Sequence, residues 1–281
     1  MFGPLSKSVA TAGTDLNLNL KDQFGNMMLI LFAGHDTTAH TMTWLTFELA
    51  RNPGYQARLH AEVDRFFDEL GDRDMVYEDC SKLPFLTRCV METLRLWPAV
   101  ATGTYRELQY ADTVKGTDGT PVTLPKGTYV QVQTWTRHRS KALWGPDADV
   151  FNPDRAFEGS EVWDGDAFKG YNPATPRFSP FTFEPRDCLG KNFAQMEMRT
   201  IMANVFRKFD FTLSDTYARW DVEKDGPLEN FQGTLAPRNI TKDGLVEAAK
   251  RKAKSERPPC AMFLKVAPRV PSSAGAHHAK L

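Results

Sequence analysis

Residues 181–190 read Phe-Thr-Phe-Glu-Pro-Arg-Asp-Cys-Leu-Gly, and a segment with the apolar spacing of a helix follows them. Cys188 therefore lies just before a predicted helix, where the partial positive charge of the helix N-terminus favours a thiolate. Gly190 allows the backbone to pass close to a flat ligand, and Arg186 can donate a charge-assisted hydrogen bond to a carboxylate of that ligand. Phe181 is expected to keep water from the sulfur. The loop indicates a thiolate ligand, with a buried free cysteine beside an incidental arginine as the alternative.

This loop resembles the haem-binding signature of the cytochrome P-450 family, Phe-x-x-Gly-x-Arg-x-Cys-x-Gly. The match falls at Phe181, Arg186, Cys188 and Gly190. Glu184 departs from the pattern, because the family usually has there a glycine that allows a tight turn beneath the haem. The resemblance implies that Cys188 is the iron ligand of heme b (iron protoporphyrin IX) and that Arg186 holds one of its propionates.

The composition is that of a folded globular protein. Hydrophobic residues make up 41% of the 281 residues and charged residues 25%. Thirty-five basic residues balance 35 acidic ones, so no overall charge favours nucleic acid or an anionic membrane as a partner. The longest apolar run, residues 27–33, is far shorter than the roughly 20 residues that cross a bilayer. The four cysteines form no C-x-x-C pair, and so few scattered thiols in a chain of this length indicate a reducing compartment rather than a disulfide scaffold. Cys89 is interpreted as a plain buried thiol.

A second motif lies on a helix predicted from about Pro84 to Trp97, where apolar residues recur at steps of three and four. Glu92 and Arg95 are three residues apart and so share a face of that helix. Their setting, Glu-Thr-Leu-Arg-Leu-Trp-Pro, resembles a conserved segment of the same family. The resemblance implies that Arg155 joins them in a buried trio with a structural role. An ordinary surface salt bridge between Glu92 and Arg95 is the alternative.

A long helix is predicted over residues 22–51, and its middle holds the unusual turn Ala-Gly-His-Asp-Thr-Thr. Glycine and threonine both weaken a helix interior, so their presence needs an explanation. The turn resembles the Ala-Gly-x-Asp-Thr-Thr oxygen-binding segment of the family. The resemblance implies that Ala33 and Gly34 leave room for the cofactor and dioxygen, and that Asp36 and Thr37 deliver protons. The alternative is an amphipathic helix whose polar residues face solvent.

Two further residues have a predicted place. Arg106 stands where the family has an arginine for a haem propionate, with a surface arginine at the end of a strand as the alternative. His138 is expected to pack in the protein rather than to bind iron.

The sequence predicts a mainly α-helical fold with small β-sheets, and the resemblance implies part of the cytochrome P-450 fold, from the long oxygen-binding helix to the C-terminus. A helix is also predicted to begin at Pro53. Short strands are expected within residues 103–136 and an irregular segment over residues 140–187. A helix is expected from Gly190 to about Phe209, and its inward candidates are Phe193, Met196, Thr200, Ala203 and Val205.

The expected organisation has three parts. Residues 1–20 are a loose lead-in, residues 21–265 form the C-terminal haem-binding part of the domain, and residues 266–281 form a disordered tail. Chains of the family are longer, so we expect an N-terminal part to be missing, and with it any membrane anchor. A full-length form is expected at the endoplasmic reticulum membrane, whereas the chain as given is expected to be soluble and cytoplasmic.

The resemblance implies a haem-dependent monooxygenase that hydroxylates a small apolar organic substrate. Residues 99–102 and Phe32 are expected to face that substrate. Electrons are expected from an NADPH-dependent reductase or a ferredoxin. Two alternatives stay open: a haem-thiolate isomerase or lyase, which has no need of the Asp36–Thr37 pair, and a truncated, catalytically inactive remnant.

Overall fold

The computed structural model describes residues 19–116, 118–163, 173–183, 185–213 and 264–269. Within them the fold is mainly helical with small antiparallel sheets, as the sequence predicts. The α-helices in chain order are α1 (Leu20–Arg51), α2 (Pro53–Leu70), α3 (Pro84–Leu96), α4 (Thr134–His138), α5 (Lys141–Trp144) and α6 (Lys191–Lys208). Two short 3-10 helices span Tyr77–Lys82 and Gly159–Glu161.

Helix α1 is 32 residues long and passes from an exposed to a buried environment. Asn19 starts it, because the Asn19 side chain accepts a hydrogen bond from Asp22 N at 3.0 Å while the Asp22 carboxylate accepts one from Asn19 N. The first half is exposed, including Phe32 at 67%. In the second half, Leu45 and Leu49 are at most 1% exposed.

Helices α2 and α3 bury the apolar stripes that the sequence predicts. Each begins with a proline, whose missing N–H lies where a helix has no acceptor for it. The predicted inward residues are buried: Leu59, Val63, Leu86, Val90 and Leu94. Glu62 of α2 also fixes the start of α3, because its carboxylate accepts hydrogen bonds from Phe85 N and Leu86 N at 2.7 and 2.8 Å.

Three two-stranded antiparallel sheets lie in the described part of the chain. They pair β1 (Thr104–Glu107) with β4 (Tyr129–Val132), β2 (Asp112–Lys115) with β3 (Pro121–Leu124), and β5 (Phe209–Leu213) with β6 (Leu264–Pro268). The first four strands fall within the predicted range. Strand β5 is tied to α2 because the Gln56 side chain donates to Phe211 O and accepts from Phe211 N, both at 2.8 Å.

Helix α6 lies where it was predicted, and its inward face was predicted in part. Phe193, expected to face inward, is 61% exposed. Ala203 is fully buried as expected, and Met198, Met202 and Phe206, at steps of four residues, are buried beside it. Cys80 and Cys89 are buried free thiols, so the interpretation of Cys89 is confirmed.

The expected start of the C-terminal tail was wrong. Residues 266–268 belong to β6 and pair with residues 209–211 of β5, so their backbone groups are satisfied by a neighbouring strand. Residues 270–281 of the predicted tail and residues 1–18 lie outside the described residues. No helix in the described ranges is both long and apolar enough to cross a membrane.

Candidate cofactor site

The cysteine loop presents Cys188 three residues before Lys191, where α6 begins. The thiol is free and the residue is exposed. Cys188 N donates to Phe181 O at 3.0 Å, and Lys191 N donates to Cys188 O at 3.4 Å, so backbone bonds hold the cysteine on both sides. Phe181 is only 9% exposed and joins the core beneath the loop. The thiol thus lies at the positive end of an 18-residue helix.

Thr182 has a strained backbone that the sequence interpretation missed. Its φ is 67°, and it is the one non-glycine residue with positive φ among those described. Such a conformation is unfavourable for a β-branched residue and persists only when the surroundings fix it. Thr182 N donates to Ser179 O and Thr182 Oγ1 donates to Arg186 O, both at 3.2 Å. Glu184, the departure from the family signature, lies outside the described residues.

Two arginines predicted to hold propionates have no carboxylate partner in the described residues. Arg186 is exposed. Arg106 lies half-buried on β1, and its Nη1 donates to Tyr105 O at 3.0 Å. Lys191 differs, because its Nζ is paired with Asp187 at 2.8 Å. The two guanidinium groups therefore remain available to an anionic ligand.

The Ala-Gly-His-Asp-Thr-Thr turn of residues 33–38 lies in the transition between the two halves of α1. Ala33 and Gly34 are exposed, and no described atom lies within 4 Å of a Cβ built on Gly34. Thr37 Oγ1 donates to Ala33 O at 2.7 Å, which fixes the hydroxyl and leaves its lone pairs free to accept. Asp36 lies 3.6 Å from His40 Nδ1. The sequence interpretation missed His40, which the spacing of four residues on one helix could have indicated.

The structure brings Glu92, Arg95 and Arg155 together. Arg95 Nε and Nη2 each donate to the Glu92 carboxylate at 2.7 Å, and Arg155 Nε donates to Glu92 Oε1 at 3.1 Å. Glu92 and Arg95 are fully buried and Arg155 is 8% exposed. Asn152 N also donates to Glu92 Oε1, at 3.0 Å. The alternative of a surface salt bridge is therefore wrong, and the carboxylate charge is shared by donors from α3 and from the irregular segment.

Hydrogen bonds also link this trio to His138, and through His138 to Ser179, two residues before the cysteine loop. Arg95 Nη1 donates to His138 O at 2.8 Å, and Ser179 N donates to His138 Nε2 at 3.0 Å. Burial lowers the pKa of His138 to about 3, so the imidazole is neutral at neutral pH. His138 is a fully buried packing residue whose Nε2 is already used.

These residues fit a haem. A soft sulfur donor stands exposed at a helix N-terminus, two arginines lack carboxylate partners within the described ranges, and open space surrounds Gly34 and Gly190. Cys188 would bind the iron, while Arg106 and Arg186 would bind the propionates. Within the described residues, the hydrogen bond of the Arg106 guanidinium goes to Tyr105 O and not to the cysteine loop.

Comparison with known proteins gives a consistent result. The family described as cytochrome P-450 matches residues 5–231. A putative cytochrome P-450 of Caenorhabditis elegans, CYP13A4, is 32% identical over 227 residues, which cover 80% of this chain and 39% of that protein. Cytokinin hydroxylase of Arabidopsis thaliana is 36% identical over 190 residues, or 66% of this chain and 32% of the relative. The chain thus spans about two fifths or less of the length of these relatives.

A solved structure supports the fold. The crystal structure of a cytochrome P-450, CYP102L1, superimposes with a TM-score of 0.66 at 24% sequence identity. The alignment covers 90% of this chain and 46% of that one. The predicted family and the predicted partial fold are confirmed.

Proposed function

The chain belongs to the cytochrome P-450 family, and we propose that it is the part of a heme b-dependent monooxygenase that carries the iron ligand, Cys188. The observation that carries the proposal is the exposed free thiol at the N-terminus of α6, held by backbone bonds to Phe181 and Lys191. A cysteine kept only for packing is normally buried, as Cys80 and Cys89 are.

The haem, when bound, supplies the iron at which dioxygen is reduced, and a cysteine thiolate ligand pushes electron density that favours O–O cleavage. The chain's own residues then hold and move protons. Thr37 keeps its hydroxyl oriented through the bond to Ala33 O, and the Asp36 carboxylate lies beside His40. We assign proton delivery to Asp36 and Thr37 on this geometry.

The finer parts of the proposal are the substrate and the electron donor. A small apolar organic substrate fits the apolar residues that α1 exposes beside the turn, Phe32 among them. An NADPH-dependent reductase or a ferredoxin is the proposed donor. Lys191 is paired with Asp187, so it adds less positive charge around Cys188 than the sequence alone suggests.

A complete pocket needs a cover over α1. The residues Leu20, Phe24, Leu29, Ile30, Leu31 and Phe32 are each more than half exposed. A helix that is apolar on all sides belongs in a protein interior. We propose that polypeptide outside the described residues covers this surface and excludes water from the reaction.

The spectrum of the reduced, haem-loaded chain with carbon monoxide tests the ligand. We expect the red-shifted Soret band of a thiolate complex, and we expect Cys188→Ser to lose it. Cys80→Ser, which alters a buried thiol, is the matched control and should keep the band. A red-shifted band that persists in Cys188→Ser would refute the assignment.

The proton-delivery role has a separate test. Asp36→Asn removes the acid while preserving size, so turnover should fall by about 10²-fold with an unchanged carbon monoxide spectrum. Glu107→Gln, an exposed carboxylate at the end of β1, is the control. Equal turnover in Asp36→Asn and the parent chain would contradict the role.

A further inference from the structure

Arg137, the penultimate residue of α4, reaches the segment that leads into the cysteine loop. Its Nη1 donates to Pro176 O at 3.1 Å, and its Nη2 donates to Ser179 Oγ. Its guanidinium carbon also lies 5.2 Å from the centre of the Phe183 ring. The Arg137 side chain thus contacts three residues of the segment 176–183, which precedes Cys188.

The chemistry of Arg137 is unusual for a residue that only fills space. Among the described residues no carboxylate pairs with its charge, and its Nε is buried without a hydrogen-bond partner. Burial lowers the pKa of Arg137, which reflects the unfavourable desolvation of the cation. A methionine would fill a similar volume without that desolvation cost. The presence of an arginine is therefore explained by the hydrogen-bond donors of its guanidinium group and not by its volume.

Ser179 is the point on which the contacts converge. It is 1% exposed and is held on both sides, since Arg137 donates to its Oγ and its own N donates to His138 Nε2. The carbonyl of Ser179 then accepts the hydrogen bond of Thr182 N. Ser179 therefore forms a fixed base for the turn that follows.

That turn is the strained one. Thr182 is held at a φ of 67°, a conformation that persists only where neighbouring contacts over-determine it. The residue before it, Phe181, supplies the carbonyl that accepts Cys188 N. A relaxed Thr182 would rotate this carbonyl and release the cysteine backbone.

We propose that Arg137 is a positioning residue for Cys188: by bridging Pro176 and Ser179, it holds the Thr182 turn in the conformation that presents the thiol. The value of this position for iron binding rests on the proposed function. The bridging itself does not, because it concerns the haem-free chain.

Hydrogen exchange of the haem-free full chain tests the bridge. In Arg137→Met, the amides of Thr182 and Cys188 should exchange about tenfold faster, because both are protected by bonds within the turn. Arg139→Met is the matched control. It removes an arginine two residues along that donates to Leu96 O and makes no described contact with the loop. Unchanged exchange at both amides in Arg137→Met would overturn the proposal.

A rescue separates positioning from a general loss of structure. Thr182→Gly removes the strain that the bridge has to hold, so it should restore most of the protection in the double variant with Arg137→Met. After haem loading, the fraction of protein with the thiolate carbon monoxide band should fall in Arg137→Met and recover in the double variant. A double variant as poorly protected as Arg137→Met contradicts the proposal. If the parent chain itself shows no thiolate band, the proposed function fails, while the exchange result still decides the role of Arg137.

Discussion

The first half of α1 and the cluster around Glu92 differ in how far their side chains are buried. The helix half is rich in large apolar side chains, yet Phe24, Leu29 and Phe32 are more than 60% exposed. The cluster is made of charged groups, yet Glu92 and Arg95 are fully buried and linked by two hydrogen bonds of 2.7 Å. In these two regions, a side chain is buried where neighbouring groups pack against it or form hydrogen bonds with it, whether it is apolar or charged. The Glu92 cluster is thus satisfied by its own partners, whereas the first half of α1 has apolar side chains that no described residue covers.

Breaking the cluster should have the largest effect. Arg95→Ala removes two of the four hydrogen bonds that the buried Glu92 carboxylate accepts from Arg95, Arg155 and Asn152, and about 3–5 kcal/mol of unfolding free energy should be lost. Arg58→Ala provides the control, because its ion pair with Asp154 is about half exposed and should be worth at most about 1 kcal/mol. Urea unfolding measures both. Similar losses in the two variants would show that the cluster is not the stabilising centre.

The two halves of α1 can be compared with the same substitution. Leu45→Ala leaves a cavity in the core and should cost about 3 kcal/mol, because Leu45 is 1% exposed. Leu29→Ala, on the same helix but 63% exposed, should change the unfolding free energy by less than about 0.5 kcal/mol. Thermal or urea unfolding gives the values. A large loss in Leu29→Ala would indicate that this half is already covered.

Low pH should reduce the unfolding free energy through the buried imidazole of His138. The unfolded imidazole takes up a proton below about pH 6.5, whereas the folded one stays neutral until about pH 3. Lowering the pH through that window therefore favours the unfolded chain, and stability should drop by about 2 kcal/mol between pH 7 and 5. Unfolding free energies across this range test it against His138→Gln, which should lack this part of the pH dependence. An identical pH profile in the variant would refute the assignment.

The smallest expected effect is a gain. Thr182→Gly should raise the unfolding free energy by about 1 kcal/mol, because glycine adopts a φ of 67° without the strain that threonine carries. Thr113→Gly, in the exposed strand β2, is a control expected to be destabilising. The comparison in thermal unfolding is simple: a loss in Thr182→Gly would mean that the Thr182 side chain contributes more than its backbone strain costs.

Much of the fold could be predicted because apolar periodicity and proline positions are local signals. They gave the starts and ends of α1 and α3 and the start of α2 to within about two residues, and the range of the first four strands. The orientation of α6 was predicted only in part. Ala203 is buried as expected, whereas Phe193 is apolar yet faces outward and Gln195 is polar yet fully buried. Strand β6 was missed because its pairing with β5 joins residues more than 50 positions apart.

At the candidate site, too, some features were predicted from the sequence and others were not. The trio was predicted from a resemblance in sequence, and its geometry follows the expected pairing of Glu92 with Arg95 and Arg155. The strain at Thr182 and the bridge from Arg137 were not predicted. A positive φ and a hydrogen bond across 42 residues depend on the folded backbone and leave no periodic pattern in the sequence.

The central claim is that Cys188 binds iron, and X-ray absorption at the iron edge of the haem-loaded chain tests it most directly. We expect one sulfur atom in the first coordination shell of the parent chain and none in Cys188→Ser. A parent chain whose iron has only nitrogen or oxygen ligands, or a Cys188→Ser variant that keeps the sulfur, would contradict the claim.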